Sequence, residues 1–353
     1  MSFQTPNEIQ TQTQTQAQAQ TASAIKSLAY VSSRCEIYLN EKGCFLTSHK
    51  FGIEDDEDEF CHKLLKRVFD TPTHTLLDQN ALEYLNTRAD FKNATGITRM
   101  ISQFFVPSAE LEMYRGNLKT VRLVESIDEP WSWSTPLDVD AIPPQLQLPS
   151  LSKVLPTPQP DYAVGFPHDA FTPVQLEKLK PYLGSDKQEQ DEVFKTSAFQ
   201  GTQGMLFPFL TSECKSFTGK PFVANRQNAH SMGRSLRGVV ELFRLSRRQT
   251  ELHRKVLGDN QCANYMVLEA GKSKYYQKLF WEFLIRSQTA AERWGTYNFV
   301  TAVYHGWAPR HFARLSSAID MIPDANAHMD DASTAQAAVL KQRMGYGVLG
   351  GVG

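Results

Sequence analysis

The sequence predicts an α/β fold, in which short apolar strands alternate with helices. Strands are expected at residues 161–166 and 205–215, and each is followed by a helical segment. Their almost continuous apolar character is typical of strands buried in a sheet. Two further strands, at residues 263–270 and 274–284, are joined by a turn at Gly271. The chain has 353 residues, 41% of them hydrophobic, so it can bury a large core around such a sheet.

The composition divides the chain into four segments. Residues 1–23 form a Gln/Thr-rich repeat almost without large apolar side chains, and we expect this tail to be disordered. Residues 24–130 are expected to form extra N-terminal helices in a layer that leads into the core. Residues 131–323 form the predicted core, and residues 324–353 a flexible C-terminal tail.

The N-terminal layer contains several helix signals. The acidic run at residues 54–59 suits the positive end of a helix dipole, and apolar residues follow it at helical spacing. Further helices are predicted at residues 76–85 and 97–105. After a break, another helix is predicted to start at Ser108. We interpret the Pro-rich stretch at residues 130–160 as a long connection that wraps the surface.

Three helices are predicted in the core. The first covers residues 170–183, with Thr172 as its N-cap. The second is a long helical stretch at residues 225–256, for which a break near Arg247 is an open alternative. Its predicted buried stripe consists of Met232, Leu236, Val239, Val240 and Phe243. The third covers residues 294–319 and is interrupted at Pro309.

Composition also restricts the class of protein. The five cysteines are scattered without the Cys/His spacing of a zinc site, which favours reduced thiols and an intracellular protein. The first residues lack the apolar segment of a secretory signal. No apolar run reaches the ~18 residues that a membrane span needs, so no membrane partner is expected. Nuclear and cytoplasmic locations both fit this pattern.

Charge is distributed unevenly along the chain. Residues 1–200 carry 18 Lys and Arg against 27 Asp and Glu, whereas residues 201–320 carry 17 against 8. A basic segment that includes and follows the second strand is the electrostatic footprint of a protein that binds a polyanion. The alternative is that these cations only solvate long helices.

An acid and a base lie two residues apart at the end of the second strand. Because side chains alternate along a strand, Glu213 and Lys215 point to the same side, with the backbone carbonyl of Cys214 between them. Asp161 opens the first strand, so two adjacent strands would bring both carboxylates together. Such a set of hard oxygen atoms suits Mg²⁺. A surface ion pair is the competing interpretation, although the apolar run before Glu213 argues against it.

Three sequence blocks resemble the PD-(D/E)XK nuclease-like superfamily, and more narrowly a group of fungal proteins within it. The blocks are PQPDYAVGF, FPFLTSECKS and NRQNAHS, and the resemblance covers residues 91–323. It implies a restriction-endonuclease-like core of α-β-β-β-α-β order, with a mixed central sheet flanked by helices. By motif position, it implies that Asp161, Glu213 and the Cys214 carbonyl bind Mg²⁺ (or Mn²⁺). Lys215 then assists the attacking water.

Two further positions are compared with the superfamily. Some branches use a Gln at the start of the following helix, and Gln227 stands there. It either hydrogen-bonds the site or is an ordinary polar residue of the first turn. The acid that many members carry on the first core helix is missing from residues 92–99. Glu110 is the nearest alternative, and a helix-cap role for it is equally open. We interpret His230 as a structural histidine.

These observations predict a metal-dependent nuclease that hydrolyses phosphodiester bonds, with DNA as its expected partner. Four arginines of the long helix are candidate contacts for backbone phosphates. They are Arg234, Arg237, Arg244 and Arg248. The missing helix acid favours an alternative, which is a weak or inactive nuclease-like module that binds nucleic acid or protein as an effector or toxin-like component. A structural protein with no nucleic-acid role is the third hypothesis.

Overall fold

A computed structural model of the chain describes most of the predicted core and part of the N-terminal layer. The described residues are 29–70, 106–137, 155–185, 196–215, 219–259, 262–280 and 294–323, with isolated positions 80, 83, 84, 87, 88, 96 and 292. The predictions for both tails and for the helix at residues 97–105 lie outside them, as does most of residues 76–85.

The six strands of a mixed β-sheet follow one another across the sheet in chain order. They are β1 (Val124–Ser126), β2 (Tyr162–Phe166), β3 (Leu206–Ser212), β4 (Val256–Asp259), β5 (Cys262–Glu269) and β6 (Lys272–Leu279). Neighbouring strands are antiparallel, except that β3 and β4 are parallel. Helices flank this sheet, so the predicted α/β class is confirmed.

Seven helices accompany the sheet in the described part of the chain. They are α1 (Ser33–Glu41), α2 (Asp55–Leu65), α3 (Ala109–Tyr114), α4 (Pro173–Leu179), α5 (Pro221–Leu245), α6 (Gly295–Ala302) and α7 (Ala308–Asp320). The long helix α5 connects β3 to β4, because two consecutive strands can lie parallel only if a crossover returns the chain to the same end of the sheet.

Local sequence signals begin several of these helices. Thr172 caps α4 in a reciprocal pair of hydrogen bonds with Gln175. The hydroxyl of Ser108 accepts a hydrogen bond from the backbone N–H of Leu111 at the start of α3. The acidic run begins α2 at Asp55. The stripe predicted for α5 is buried at all five positions, so these predictions are confirmed.

The long helical stretch is broken near Arg247, as the open alternative predicted, and its helical continuation to residue 256 is wrong. The helix α5 ends at Leu245, and Arg247 has a positive φ of 58°. A residue in the left-handed region cannot continue a right-handed helix. The chain then turns and forms β4. Four residues are too few to show the alternation by which a strand is recognised in a sequence.

The segment at residues 131–137 is packed inside the protein, contrary to the expected surface connection. Trp131 is completely buried and clusters with Ala163 of β2 and with Met205. The backbone N–H of Ser197 donates to the carbonyl of Trp133 at 2.8 Å. This segment therefore forms part of the core, because its aromatic side chain and its backbone both find partners there.

The last helical region is irregular one turn earlier than predicted. A π-helical turn at Val303–Trp307 separates α6 from α7, whereas Pro309 lies within the first turn of α7. Proline has no N–H to donate to the preceding turn, and the wider π-helical turn accommodates this loss. The interruption is therefore displaced toward the N-terminus of the proline.

One hydrophobic cluster extends from Tyr30, beside α1, to Ile322, after α7. The N-terminal helices therefore share a core with the sheet. Strand β1 also precedes position 131, so the sheet begins within the segment that was expected to lead into it. Among the helices that the structure describes, none has the length and apolar character needed to cross a membrane.

Candidate metal and catalytic site

The pairing of β2 with β3 brings the two predicted acids to one end of the sheet. Tyr162 lies opposite Ser212 in this antiparallel pair. The next positions outward are Asp161 and Glu213, each one residue beyond this last pair of the two strands. The backbone N–H of Cys214 donates to Oδ2 of Asp161 at 2.6 Å, which fixes that carboxylate beside the end of β3.

Lys215 completes the cluster. Its Nζ donates to Oε2 of Glu213 at 2.8 Å and to the carbonyl oxygen of Cys214 at 3.3 Å. Glu213 and Lys215 therefore reach the same side of the chain, as strand alternation predicts. The side chain of Glu213 is 3% exposed and that of Lys215 is 24% exposed. The ammonium group thus contacts two of the oxygen donors expected for a metal ion.

The two carboxyl groups are strongly affected by burial. Burial raises the pKa of Glu213 from 4.5 to about 7, because the charged form loses its hydration. The charge of Lys215 opposes this rise, whereas the charges of Asp161 and Asp128 add to it. Burial also raises the pKa of Asp161, against the hydrogen bond from Cys214 and the charge of Lys215. Two acids therefore share one ammonium group.

A small polar cavity adjoins Glu213 between the end of β3, the start of α5 and α6. Its volume is about 50 Å³, which is enough for a few water molecules. Polar lining comes from Ser212, Asn225 and Asn228 among others. The hydroxyl of Thr211 donates to Oδ1 of Asn228 at 3.1 Å, which connects β3 to α5. Water can therefore be held next to the cluster.

Gln227 directly precedes, in the sequence, Asn228, which lines this cavity. The helix α5 begins at Pro221, so Gln227 is beyond the first turn that the sequence suggested. Its Oε1 atom is buried and has no hydrogen-bond partner in the described part of the structure. A buried acceptor without a donor is costly, and a bound water molecule would supply the missing donor. Gln227 is not among the residues that line the cavity, whereas Asn225 and Asn228 are.

The oxygen donors of the cluster fit a hard divalent cation. Asp161 and Glu213 supply carboxylate oxygens, and Cys214 supplies a carbonyl oxygen. Mg²⁺ keeps several of its waters and needs few protein ligands. Among the described residues, no group of three or more His, Cys, Asp and Glu side chains converges as a metal-binding cluster. A cation at this position would rely on two acidic side chains.

Residues 81–319 match a family described as a domain of unknown function, DUF7924. The chain belongs to the DUF7924 family. All the candidate site residues lie within the matched part of the chain. No curated protein and no solved structure matches the sequence.

Two predicted residues of the DUF7924 domain are accounted for by other contacts. Oε1 of Glu110 accepts the backbone N–H of Glu125 at 3.3 Å, so its carboxylate joins α3 to β1. His230 is buried, and its Nδ1 lies 2.8 Å from the hydroxyl of Tyr30. Its Nε2 accepts a hydrogen bond from Nε of Arg234 at 3.3 Å. These contacts confirm that His230 is a structural histidine.

Two of the four predicted phosphate-binding arginines hold the segment at residues 131–137. Arg234 is buried and donates to the carbonyl oxygen of Ser134 at 3.2 Å. Arg237 donates to the carbonyl oxygen of Pro136 at 3.1 Å. Carbonyl groups of an irregular segment need donors from elsewhere, and guanidinium groups supply them. The prediction that Arg234 contacts a nucleic acid is therefore wrong, because its side chain is buried and bound to Ser134.

The other two predicted phosphate-binding arginines, Arg244 and Arg248, form ion pairs with glutamates. Arg244 pairs with Glu241 of the same helix. Arg248 lies beyond the end of α5, pairs with Glu251 at 2.8 Å, and also donates to the hydroxyl of Ser317. The four arginines therefore do not form one continuous exposed stripe, because α5 ends before the last of them.

Sequence reasoning missed Asp128, which follows β1. Its backbone N–H donates to the carbonyl oxygen of Asp161 at 3.2 Å, and its φ is 51°. Its charge contributes to the raised pKa values of both Asp161 and Glu213. Aspartate tolerates the left-handed region in turns, so an Asp within the turn-like SIDEP sequence is a usable signal. That signal is weak, because the three-residue β1 before it is too short to be recognised.

Proposed function

We propose that this protein is a metal-dependent nuclease that hydrolyses phosphodiester bonds, with DNA as its substrate. The observation that carries the proposal is the pairing of β2 with β3. Its last pair, Tyr162 and Ser212, brings Asp161 and Glu213 to the same end of the sheet, where Lys215 contacts Glu213. This arrangement agrees with the roles that the PD-(D/E)XK resemblance implies for two metal-binding acids and one lysine.

The order of the elements also supports the proposal. With the helix α4 inserted between β2 and β3, the elements α3, β1, β2, β3, α5 and β4 occur in the α-β-β-β-α-β order that the resemblance implies. The resemblance implies site residues at the ends of these strands and in the helix that follows them. Asp161 precedes β2, Glu213 and Lys215 follow β3, and Gln227 lies in α5.

Each residue of the cluster has a distinct role in this proposal. Asp161, Glu213 and the carbonyl group of Cys214 would hold Mg²⁺ or Mn²⁺. A bound divalent ion supplies Lewis-acid stabilisation of the phosphate and lowers the pKa of a water molecule. Gln227 accepts a hydrogen bond from a water molecule at the site. The ammonium group of Lys215 orients the attacking water and offsets negative charge on the phosphate.

The raised pKa of Glu213 gives the proposed reaction a pH dependence. Without a metal ion, this carboxyl group loses its proton only near pH 7. Because a cation must displace that proton, its apparent affinity increases with pH. At a subsaturating Mg²⁺ concentration, we expect cleavage to accelerate between about pH 6 and about pH 8.

Cleavage of plasmid DNA with Mg²⁺ tests the proposal. We expect Lys215→Ala to cut at least about 100-fold more slowly than wild type, because it lacks the group that orients water. Lys63→Ala, which removes an exposed lysine of α2, is the matched control and should cut normally. Equal cleavage by wild type and Lys215→Ala would show that a contaminant or another site is responsible.

A second candidate function is a nuclease-like module that binds nucleic acid or protein without cutting it. One observation favours it, because the cluster already satisfies several of its own donors and acceptors. Lys215 contacts Glu213 and the carbonyl of Cys214, and Asp161 accepts from the N–H of Cys214. Calorimetric titration with Mn²⁺ discriminates between the two. Salt-sensitive DNA binding without any binding of Mn²⁺ supports the module.

A further inference from the structure

A second and larger groove lies where the end of α1, the C-terminal half of α5 and the β5–β6 turn meet. Its volume is about 980 Å³. Five cationic side chains line it: Lys42, Arg237, Arg244, Lys272 and Lys274. Two acids, Glu41 and Glu241, also line it, so the lining has an excess of three positive charges. This groove is distinct from the cavity beside Glu213.

Ion pairs hold some of the cations of the groove in place. Glu241 pairs with Arg244 inside the groove, and Lys274 pairs with Glu269 at 2.7 Å. Lys272 stands exposed at the start of β6. These pairs do not neutralise the groove: with Glu269 included, five cations face three acids, which leaves an excess of two positive charges.

The walls of the groove are held together by backbone hydrogen bonds. The N–H of Tyr275 in β6 donates to the carbonyl of Gly43 at 2.7 Å, and the N–H of Phe45 donates to the carbonyl of Tyr275 at 2.8 Å. Gly43 and Gly271 both have a φ of 76°, which only glycine adopts readily. A rigid wall with small residues at its turns lets a ligand approach the backbone closely at little entropic cost.

We propose that this groove binds the phosphodiester backbone of a nucleic acid. Lys272 and Lys274 lie two residues apart on β6, about 7 Å along the strand, so they would engage different phosphates of a chain rather than a single small anion. Phosphate contacts of this kind position a nucleic acid without reading its sequence. This proposal rests on the proposed nuclease function, which identifies the polyanion as a nucleic acid.

The geometry of α5 explains how the two sites would cooperate. Gln227 lies near the beginning of the helix and Arg244 near its end, about 25 Å apart along the axis. The groove would therefore hold the nucleic acid at a distance from the bond that is cut. Its contribution is to affinity and to placement of the substrate, whereas the cluster at Glu213 performs the chemistry.

Fluorescence anisotropy with a labelled duplex of about 20 base pairs tests the groove, in EDTA so that no DNA is cut. The test variant is Lys272→Glu with Lys274→Glu. The control is Lys63→Glu with Lys180→Glu, which changes the net charge equally at two exposed lysines outside the groove. We expect the test variant to bind at least about tenfold more weakly at 0.1 M salt. The slope of log K against log salt should become shallower by about one for each phosphate that is no longer neutralised.

Further measurements keep the outcome unambiguous. Lys272→Gln with Lys274→Gln repeats the test with neutral side chains, and circular dichroism melting shows whether each variant is folded. Equal weakening in test and control variants overturns the proposal, as does binding of poly-glutamate with no binding of DNA. Lys63→Ala, which removes an exposed lysine outside both sites, should bind DNA normally in EDTA. If DNA binding depends on the groove but no cleavage occurs, the groove proposal stands and only the nuclease proposal fails.

Discussion

Two buried glutamates of this protein, Glu57 in α2 and Glu213 after β3, lie in opposite electrostatic settings. Their side chains are 1% and 3% exposed. Oε1 of Glu57 accepts from Arg310 at 2.7 Å and from Arg314 at 3.3 Å. Its other oxygen accepts the backbone N–H of Val256. This carboxylate is thus surrounded by donors that join α2 to α7 and β4.

Glu213 has far less compensation. Its cationic partner is Lys215, and Asp161 lies beside the same ammonium group. The pKa of Glu213 is raised to about 7 as a result of its burial. The comparison teaches that burial alone does not mark a functional acid. An excess of acidic over cationic side chains marks a functional acid better, because such an excess is unfavourable for folding and favourable for binding a metal ion.

Glu57→Gln should produce the largest change in stability. The substitution removes the negative charge between Arg310 and Arg314 and leaves their guanidinium groups without it. Breaking a buried ion cluster in this way costs about 3–5 kcal/mol of unfolding free energy. Urea denaturation measures the loss. Glu59→Gln on the same helix, where the carboxylate is exposed and pairs with Lys63, should leave the midpoint unchanged. A small loss for Glu57→Gln would mean that the cluster is not a stabilising one.

In metal-free buffer, Glu213→Gln should increase the free energy of unfolding, whereas Glu57→Gln decreases it. Because folding raises the pKa of Glu213 from 4.5 to about 7, its contribution to stability is present below 4.5 and is lost as the pH rises through 7. The neutral amide avoids this loss. At about pH 8 the variant should therefore be more stable than wild type by about 3 kcal/mol, and near pH 4.5 the two should converge.

The difference between wild type and variant is the quantity to measure, since other groups also titrate. Burial lowers the pKa values of His230 and His311, whose contributions are present above pH 6.5 and are lost as the pH falls below it. Both proteins share these contributions, so they cancel in the difference. Glu269→Gln, which removes an exposed carboxylate that pairs with Lys274, should show no gain at high pH. A constant difference across the pH range would contradict the raised pKa of Glu213.

The same comparison shows what the sequence could predict. The period of two along a strand places Glu213 and Lys215 on one side, and Asp161 at the start of a neighbouring strand follows from strand pairing. Both acids are adjacent in sequence to elements long enough to be recognised. The contribution of Asp128 could not be predicted, because it depends on a three-residue strand without a visible pattern.

The partners of Arg234 and Arg237 were equally inaccessible to sequence reasoning. Helical spacing predicts that both side chains lie near one face of α5, but not what covers that face. The covering segment, at residues 131–137, lies about a hundred positions earlier in the chain and forms no regular element. An arginine pattern therefore does not distinguish a phosphate-binding surface from one that binds backbone carbonyls of the same chain.

The smallest predicted effect is on the affinity for Mn²⁺. It tests most directly whether the excess of acid at Glu213, in contrast to the compensated charge of Glu57, favours a metal ion. Lys215→Met removes an ammonium group that contacts Glu213 and the carbonyl of Cys214, and so frees two oxygen ligands and removes one repulsive charge. We expect calorimetry to show Mn²⁺ binding at least about tenfold more tightly, or about 1.4 kcal/mol, although DNA cleavage is lost.

Arg310→Met is the matched control for this prediction. It removes one cation beside Glu57 but leaves Arg314 and Lys255 near the same carboxylate, so no Mn²⁺ site should appear. If Lys215→Met binds Mn²⁺ no better than wild type, the ammonium group does not compete with a cation for these oxygens. If neither protein binds Mn²⁺, the excess of acid at Glu213 serves a purpose other than metal binding, and the nuclease proposal loses its chemical basis.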